Sequence, residues 1–501
     1  MARGRAAAAV PALRVRALNR QPVRPERDFV CYWSTAARRA GWNFALEHAA
    51  GAAAELRKPL VVLEALRCGY RWASERFHAF VLEGMADSAR RHRGGRVLYY
   101  PYVESRAGAG RGLLEALGSR ACLVVGDDYP AFFLPRMLAA AGAKLDVRLD
   151  AVDSNGLLPV RAAGRAHATA YSFRRFLQSA VREHLEALPA DDPLAGARLP
   201  RLSGLPDAIL RRWPPASAAL LRADPEALAA LPIDHAVPPA PARGGAVVGE
   251  AALREFLARR LERYLEERNQ PEREATSGLS PYLHFGQISA HQVFHELAAR
   301  EGWSPHALAA RGRGSREGFW GMSRAAEAFL DQLVTWRELG FNFAAFRADL
   351  ESYDSLPAWA RATLAAHEAD PRVPLYGREQ LERAQTHDPL WNAAQTQLLR
   401  EGRIHNYLRM LWGKKILEWS PSPRAALEIM IELNNRWALD GRDPNSYSGI
   451  FWILGRYDRP WGPERRVFGT VRYMSSENTA RKFGVRGYLR RHAPDGEPAE
   501  G

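Results

Sequence analysis

The sequence predicts an α/β domain built on a parallel, Rossmann-like sheet, followed by a linker and a large all-α domain. Three observations indicate this fold class. Short apolar runs alternate with helical stretches over the first third of the chain. A proline-rich segment, "PPAPARGG", occupies residues 238–245, and beyond residue 249 the pattern is helical almost throughout. Strands that alternate with helices are typical of βαβ units, which place their strands in a parallel sheet.

Five apolar runs are the predicted strands of the α/β domain. They are "FVCYW" (29–33), "PLVVLEAL" (59–66), "RVLYYPYV" (96–103), "ACLVVGDD" (121–128) and "LDVRLDAV" (145–152). Continuous apolar runs are typical of strands that are buried on both faces. Amphipathic stretches, such as residues 77–92, are the predicted helices between them.

The same patterns predict the domain boundaries. We expect a basic flexible arm over 1–27, which we favour over a targeting peptide, an α/β domain over 28–160, a helical and proline-rich linker over 161–248, an all-α domain over 249–490, and a short tail over 491–501.

Composition and charge restrict the class of function. Hydrophobic residues make up 47% and charged residues 25% of the chain, which is typical of a soluble globular protein. No apolar run is long enough to span a membrane. The net charge of +14 favours polyanionic partners such as nucleic acid, although an arginine-rich composition also follows from a GC-rich genome.

Cysteine usage and the absence of certain motifs exclude further classes. The three cysteines, Cys31, Cys68 and Cys122, are widely spaced, which predicts a reducing, cytoplasmic location without disulfides and without a cysteine-ligated metal. The sequence has no P-loop, GxGxxG, EF-hand or HExxH motif, so we expect neither nucleotide-triphosphate chemistry nor a metal site.

Two features of the all-α region are candidate binding elements. Thr276, Ser277 and Ser280 lie at a predicted helix start, where hydroxyls and backbone N–H groups suit a phosphate, although ordinary N-capping uses the same residues. Trp412 and Trp419 are seven residues apart and therefore share one helix face. Core packing explains such a pair, but tryptophans recur among polar residues up to position 461, and a cavity of this composition suits a flat cofactor or a nucleobase.

Five ordered motifs resemble the photolyase/cryptochrome family, and most of all its class II cyclobutane pyrimidine dimer photolyases. They are "TSGLSPYLHFGQIS" (276–289), "LWNAAQ" (390–395), "LRMLWGKKILEW" (408–419), "LDGRDPN" (439–445) and "RYM" (472–474). The resemblance covers about 250–490 closely and the N-terminal half more loosely, through "VDSNGLLP" (152–159). The N-terminal half carries its own "RWASERFHAFVLEGM" (71–85), which indicates a divergent subfamily.

The resemblance implies that FAD binds in the all-α domain. Its phosphates and ribityl chain would be held by Tyr264, Thr276, Ser277, Gly278, Leu279 and Ser280. Arg409 and Asp440 would form an ion pair beside the isoalloxazine ring, and Asn434 would face the reactive flavin nitrogen. In this branch three tryptophans pass electrons from the surface to the flavin. Trp412 would be proximal, Trp391 central and Trp419 terminal, so the resemblance favours electron transfer over core packing.

The resemblance also implies UV-damaged double-stranded DNA as the partner, with the lesion flipped out of the duplex. Trp336 and Trp452 would wall the lesion pocket and Met410 would form its floor. Arg268 and Asp458 match an ion pair that supports the duplex, although the segment between Trp452 and Asp458 is one residue shorter than usual. Arg472, Arg481 and Lys482 would contact phosphates.

The implied reaction is light-dependent repair by a deoxyribodipyrimidine photo-lyase, a carbon–carbon lyase in which reduced FAD passes an electron to the dimer. One departure affects it directly. Gln332 replaces a glutamate, and an amide donates hydrogen bonds but supplies neither a proton nor a charge, while Asp331 points about 100° away on a helix.

Two other functions stay open. A cryptochrome-like blue-light photoreceptor with little repair activity is favoured by Gln332 and disfavoured by the short tail. Repair of the (6-4) photoproduct is disfavoured because the expected pocket segment has no histidine pair. The α/β domain is suited to a second, antenna chromophore of unidentified chemistry. Members of this family are usually monomers.

Overall fold

The computed structural model describes residues 10–494. The chain forms two compact units. The first comprises the described chain up to Gly164 together with Leu177–Glu255 and Gly278–Arg311. The second comprises Arg165–Phe176, Phe256–Ser277 and the chain from Gly312 onwards. The division therefore differs from the predicted boundaries, because residues 278–311 of the predicted all-α domain belong to the first unit.

The first unit is built on a six-stranded sheet. Its strands are β1 (Val15–Ala17), β2 (Phe29–Ser34), β3 (Leu60–Leu66), β4 (Leu98–Val103), β5 (Ala121–Asp127) and β6 (Leu149–Val152). The spatial order is β1-β6-β5-β2-β3-β4, and every pair is parallel except β1 with β6. All five predicted strands are present. The parallel strands diverge from β2 towards both edges, which is the doubly wound arrangement with its switch point between β2 and β5.

The flexible arm predicted over 1–27 is wrong for the residues that can be compared. Residues 1–9 lie outside the described part of the chain. Arg14 is buried and donates to the carbonyl groups of Gly156 and Leu157 at 3.1 and 2.8 Å, and β1 pairs with β6. The carbonyl groups provide hydrogen-bond acceptors for the buried guanidinium, and β6 pairs with the backbone of β1. These contacts order a segment whose sequence is polar.

Helices cover both faces of the sheet. They are α1 (Phe44–Leu56), α2 (Glu75–His92), α3 (Leu113–Gly118) and α4 (Leu134–Lys144). Side chains from alternate positions of β2 enter two separate cores, with Cys31 and Trp33 in one and Val30 and Tyr32 in the other. The sheet is therefore buried on both faces, which explains the continuous apolar runs.

The middle of the chain contributes further helices. They are α5 (Ala170–His184), α6 (Asp207–Arg212), α7 (Ala218–Leu221), α8 (Pro225–Ala229), α9 (Ala246–Glu255), α10 (Leu261–Glu267), α11 (Ser280–His284) and α12 (Ala290–Arg300). A π-helical turn, Phe256–Arg260, joins α9 to α10.

The rest of the second unit is helical, as the sequence predicts. Its helices are α13 (Arg324–Leu330), α14 (Arg337–Phe346), α15 (Ala358–Ala366), α16 (Arg378–Glu382), α17 (Pro389–Glu401), α18 (Asn406–Trp419), α19 (Pro423–Trp437), α20 (Pro444–Ile453), α21 (Ser476–Lys482) and α22 (Arg486–His492). A second π-helical turn, Asp331–Trp336, joins α13 to α14.

Three of these helices begin with the same local device. Asp388, Ser422 and Asp443 cap α17, α19 and α20 through side-chain oxygens that accept backbone N–H groups, and a proline follows each cap. Proline suits the first helical position because its missing N–H needs no partner there. These caps fix where the helices that carry the candidate site begin.

Within residues 10–494, no helix is long and apolar enough to cross a membrane. The same residues contain no group of three or more histidine, cysteine or acidic side chains that could hold a metal ion.

Candidate functional site

The three predicted relay tryptophans come together on α17 and α18. Trp391 donates its indole N–H to the backbone carbonyl of Trp412 at 2.9 Å. The rings of Trp391 and Trp419 meet edge to face, with centroids 5.7 Å apart. Trp391 therefore contacts both other residues of the set, as a central relay requires. All three side chains are buried.

The outer end of this series differs from the expectation. Trp419 was predicted to meet the surface, yet only 2% of it is exposed. The rings of Tyr376 and His387 cover it, with centroids 5.5 and 5.2 Å away. The Tyr376 hydroxyl lies 2.8 Å from Nδ1 of His387, whose side chain is exposed. Trp419 is buried because a segment that is remote in sequence, which carries Tyr376 and His387, packs over its indole.

Arg409 and Asp440 form the predicted ion pair. Two nitrogen–oxygen contacts of 2.8 and 3.3 Å join them, and both side chains are about one-fifth exposed. Nε of Arg409 is buried without a hydrogen-bond partner. A paired guanidinium with one unused, buried donor is suited to a polar ligand that lies against it.

Asn434 is buried on α19. Its Nδ2 donates to Ser446 Oγ at 2.9 Å and to Asn435 Oδ1 at 3.2 Å. Among the residues that the structure describes, none donates a hydrogen bond to its Oδ1. The unused donor of Arg409 and the unused acceptor of Asn434 fit the polar edge of a flavin ring.

The predicted phosphate-binding residues do not all lie in one unit. Tyr264 is on α10 in the second unit, where Phe256 and Phe329 pack edge to face against its ring and burial raises the pKa of its hydroxyl. Thr276 and Ser277 belong to the second unit, whereas Gly278, Leu279 and Ser280 belong to the first. Ser280 begins α11, as the helix-start prediction requires.

Gln332 and Trp336 lie four residues apart on the π-helical turn Asp331–Trp336, and both are half-buried. Residues four apart remain close to one side of such a turn. The neighbouring carboxylate of Asp331 pairs with Arg174 at 2.8 Å. That ion pair commits the carboxylate of Asp331 to Arg174.

A cationic and aromatic cluster surrounds Trp452. The guanidinium of Arg472 lies 5.6 Å from the Trp452 ring and 4.9 Å from the Trp461 ring. The ammonium of Lys414 lies 5.4 Å from the Trp452 ring, although this lysine is fully buried. Burial lowers the pKa of Lys414 to about 7, opposed by the charge of Asp458.

Met410 is half-buried on α18. Arg481 and Lys482 are exposed on α21.

The predicted ion pair between Arg268 and Asp458 is not formed. The guanidinium of Arg268 lies over the ring of Tyr264, 5.5 Å from its centroid. Asp458 accepts the indole N–H of Trp461 at 3.1 Å and the backbone N–H of Arg459 at 2.9 Å. Each side chain has a closer partner on its own segment, which sequence spacing alone did not reveal.

Three site residues were missed from the sequence. Gln395 accepts the indole N–H of Trp412 at 2.8 Å and donates to the carbonyl of Glu382, so it holds the proximal tryptophan in place. Its spacing of four residues from Trp391 was the available signal. Lys414 and Ser446 gave no such signal, because a lysine pair and a helix-start serine are usually exposed.

In the first unit, a side-chain carboxylate of the protein binds the backbone of the loop after β2. Oδ2 of Asp127 accepts the backbone N–H groups of Thr35, Ala36 and Ala37 at 2.7, 2.7 and 2.9 Å. Successive N–H groups at the switch point are a common phosphate site in doubly wound sheets. Here the carboxylate satisfies them, so these amides are not available to a phosphate.

Comparison with known proteins gives consistent results. No protein-family model matches the chain. The deoxyribodipyrimidine photo-lyase of Methanothermobacter thermautotrophicus is 35% identical over 489 residues, which cover 96% of this chain and 98% of the relative. The deoxyribodipyrimidine photo-lyase of Oryza sativa subsp. japonica is 36% identical over 476 residues, which cover 92% and 86%. A bacterial class III photolyase from Agrobacterium tumefaciens shares the fold, with a TM-score of 0.65 at 18% identity over 93% of this chain and 86% of that chain.

A doubly wound α/β unit and a helical unit with buried, adjoining tryptophans define a protein of the photolyase type. Its sequence identity to two relatives, over nearly the whole length of the chain, also assigns it to a family. The chain belongs to the deoxyribodipyrimidine photo-lyase family. It is an enzyme of the lyase class, the family implies a flavin cofactor, and its general function is the photorepair of DNA.

Proposed function

We propose that the chain repairs cyclobutane pyrimidine dimers in double-stranded DNA by light-driven electron transfer from reduced FAD. Bound FAD would supply a light-excited electron donor. The observation that carries the proposal is the position of Trp391 between the other two tryptophans. It is hydrogen-bonded to the backbone of Trp412 and packs edge to face against the ring of Trp419.

The flavin would be held in the second unit, where Arg409 keeps a buried Nε without a hydrogen-bond partner. The Arg409–Asp440 pair would bind beside the ring, and Asn434 would meet its reactive nitrogen. Tyr264, Thr276 and Ser277 of the same unit would hold the phosphates and ribityl chain. Each of these roles rests on the family resemblance and on the fit of the donors and acceptors described above.

The lesion would be extruded from the duplex and received by aromatic walls. Trp336 and Trp452 would stack on the damaged bases, with Met410 below them, because bases without their pairing partners are stabilised by stacking on aromatic rings. Arg472 would place a positive charge at the Trp452 side of this pocket, and Gln332 would donate its amide N–H to a pyrimidine carbonyl. Arg268, Asp458, Arg481 and Lys482 would support the duplex around the opening.

A blue-light photoreceptor with weak repair is the second candidate, and Gln332 is the observation that favours it. A carboxylic acid donates a stronger hydrogen bond to a developing anion than an amide does, and it can also transfer the proton. Asp331 cannot replace it, because Arg174 binds that carboxylate.

A second chromophore in the first unit is a further part of the proposal. Aromatic rings from the loops after β3 and β5 pack together, with 5.5 Å between the centroids of Tyr70 and Phe133 and 6.1 Å between those of Trp72 and Phe132. Clustered aromatic rings at the carboxyl ends of parallel strands suit a flat pigment. Because Asp127 already binds the loop after β2, the pigment would not depend on a phosphate at that loop.

The test uses the purified, photoreduced protein and two oligonucleotides, one with a thymine dimer and one with a (6-4) photoproduct. We expect blue light to reverse the thymine dimer only, and Gln332→Glu to reverse it faster. Dimer binding without reversal by the parent, together with reversal by Gln332→Glu, would instead identify a photoreceptor. Reversal of neither lesion by either protein would refute the repair proposal.

A further inference from the structure

Trp452 lies in the last turn of α20, where backbone hydrogen bonds satisfy part of the helix end. The N–H of Arg456 donates to the carbonyl of Phe451 at 3.0 Å. The N–H of Gly455 donates to the carbonyl of Trp452 at the same distance. Gly455 has a φ of 108°, in the left-handed region that this type of helix ending uses. Within the described chain, no backbone N–H donates to the carbonyl of Ile453.

A lysine of the neighbouring helix supplies the donor that this carbonyl needs. Lys414, on α18, is fully buried, and its ammonium donates to the carbonyl of Ile453 at 2.5 Å. The two helices approach each other closely here, and any side chain at Gly413 would collide with Cδ1 of Ile453. The negative end of a helix dipole also favours a cation, so Lys414 caps α20 from outside that helix.

The same ammonium contacts the ring of Trp452. Its nitrogen lies 5.4 Å from the ring centroid, and the guanidinium of Arg472 lies 5.6 Å from it. Arg472 is exposed, whereas Lys414 is buried and Trp452 is half-buried. Lys414 therefore reaches the indole from the interior of the unit, and the exposed part of the indole stays on the solvent side. A cation–π contact of this kind is strongest where water is excluded.

Packing alone does not explain why a lysine occupies this position. Burial lowers the pKa of Lys414 to about 7. Of the charges that face it, Asp458 favours the protonated form and Arg472 disfavours it. A methionine would fill a similar volume without the cost of a buried charge. A titratable group whose burial weakens the fold is typical of a functional position.

We propose that Lys414 is a positioning residue that holds Trp452 in the orientation that receives the extruded lesion. This inference rests on the proposed function, in which Trp452 walls the lesion pocket. The hydrogen bond fixes the end of α20 and the ammonium fixes the ring, so the wall is in place before DNA binds. A wall that is already ordered favours extrusion, because no side-chain entropy is lost when the damaged base arrives. Lys414 itself is buried and acts only through Trp452.

The experiment uses the FAD-bound protein in the dark and a thymine-dimer duplex with 2-aminopurine opposite the dimer. This base analogue becomes brighter when the dimer leaves the stack, so its fluorescence at saturating protein gives the equilibrium constant for extrusion. Lys414→Met removes the hydrogen bond and the charge, whereas Lys414→Gln removes the charge and keeps an N–H donor. Lys415→Met is the matched control, because Lys415 lies 5.5 Å from the ring of Trp419 instead. Flavin absorbance and thermal unfolding check that each protein is loaded and folded.

We expect Lys414→Met and Lys414→Gln to lower the extrusion constant by about tenfold, because a desolvated cation–π contact with tryptophan contributes a free energy of that order. Lys415→Met should keep the parent's constant. The parent's constant should fall between pH 6 and pH 8, as the ammonium loses its proton, whereas that of Lys414→Gln should not change with pH. A lysine that served only the stability of the fold would not produce this pH profile.

Parent-like extrusion by a folded, FAD-bound Lys414→Gln protein at both pH values would overturn the inference and leave the proposed function intact. An equal loss of affinity for the undamaged duplex would also overturn it, because that result would indicate a phosphate contact. A parent protein that binds the duplex but leaves the dimer stacked would instead overturn the proposed function, and the inference with it.

Discussion

Replacement of Lys414 by methionine should stabilise the protein at low pH and destabilise it at high pH. Lys414 is fully buried, and its ammonium donates to the carbonyl of Ile453 at 2.5 Å. Burial lowers its pKa to about 7 from the usual 10.5. Between pH 7 and 10.5 Lys414 is therefore neutral in the folded chain but still protonated in the unfolded chain. The free-energy cost of burying this lysine is greatest below pH 7 and declines as the pH rises to 10.5.

The magnitude follows from the two pKa values. At about 1.4 kcal/mol for each tenfold change in the proton equilibrium, the cost of burying the ammonium is about 5 kcal/mol at pH 6 and about 1 kcal/mol at pH 10. Methionine fills a similar volume, but it leaves the Ile453 carbonyl without this donor, which costs about 2 kcal/mol at any pH. We therefore expect Lys414→Met to gain about 3 kcal/mol at pH 6 and to lose about 1 kcal/mol at pH 10.

The assay is denaturant unfolding of the parent and the variant at pH 6, 8 and 10. Lys415→Met is the matched control, because the adjacent Lys415 pairs with Glu418 at 2.9 Å. The pKa of Lys415 is raised, with burial opposing the hydrogen bond and charge of Glu418 that raise it. Its contribution is therefore present at all three pH values and begins to decline only near its unfolded pKa. A pH-independent difference for Lys414→Met would refute the reasoning.

Three further predictions concern the proposed site. Trp391→Phe should keep bound FAD but abolish its photoreduction by an external reductant, measured by flavin absorbance under blue light. Trp213→Phe, in the core of the first unit, should not; equal photoreduction would exclude the relay. Asp440→Asn should lower both FAD content and thermal stability, because it leaves Arg409 half-buried without its carboxylate, at a cost of about 2 kcal/mol. Arg472→Ala should weaken DNA binding and reduce the slope of log affinity against log salt by about 1; an unchanged slope would contradict a phosphate contact.

The sequence predicts the parallel sheet well because its strands carry their own signal. Runs such as residues 29–33 are apolar at every position, and burial on both faces is the simplest explanation. β1 has no such signal. It is three residues long, "VRA", and it is ordered by its pairing with β6 and by Arg14, whose partners lie some 140 residues further along the chain.

The residues of the candidate site also differ in whether the sequence could predict their position. Spacing placed Trp412 and Trp419 on one helix face. Trp391 lies on a different helix and was identified only through the family resemblance. Burial of Trp419 depends on a segment remote in sequence, so it could not be predicted. Lys414 resembles a surface lysine in the sequence, and only the surrounding helices make it an acid–base group of unusual pKa.

The central claim is that reduced flavin repairs the lesion while the tryptophans only keep the flavin reduced. The most direct measurement is dimer reversal by Trp391→Phe whose flavin has been reduced chemically in the dark. The account predicts no reversal in the dark and, under blue light, a yield per absorbed photon equal to that of the parent. Reversal in the dark, or no reversal by either protein in the light, would contradict it.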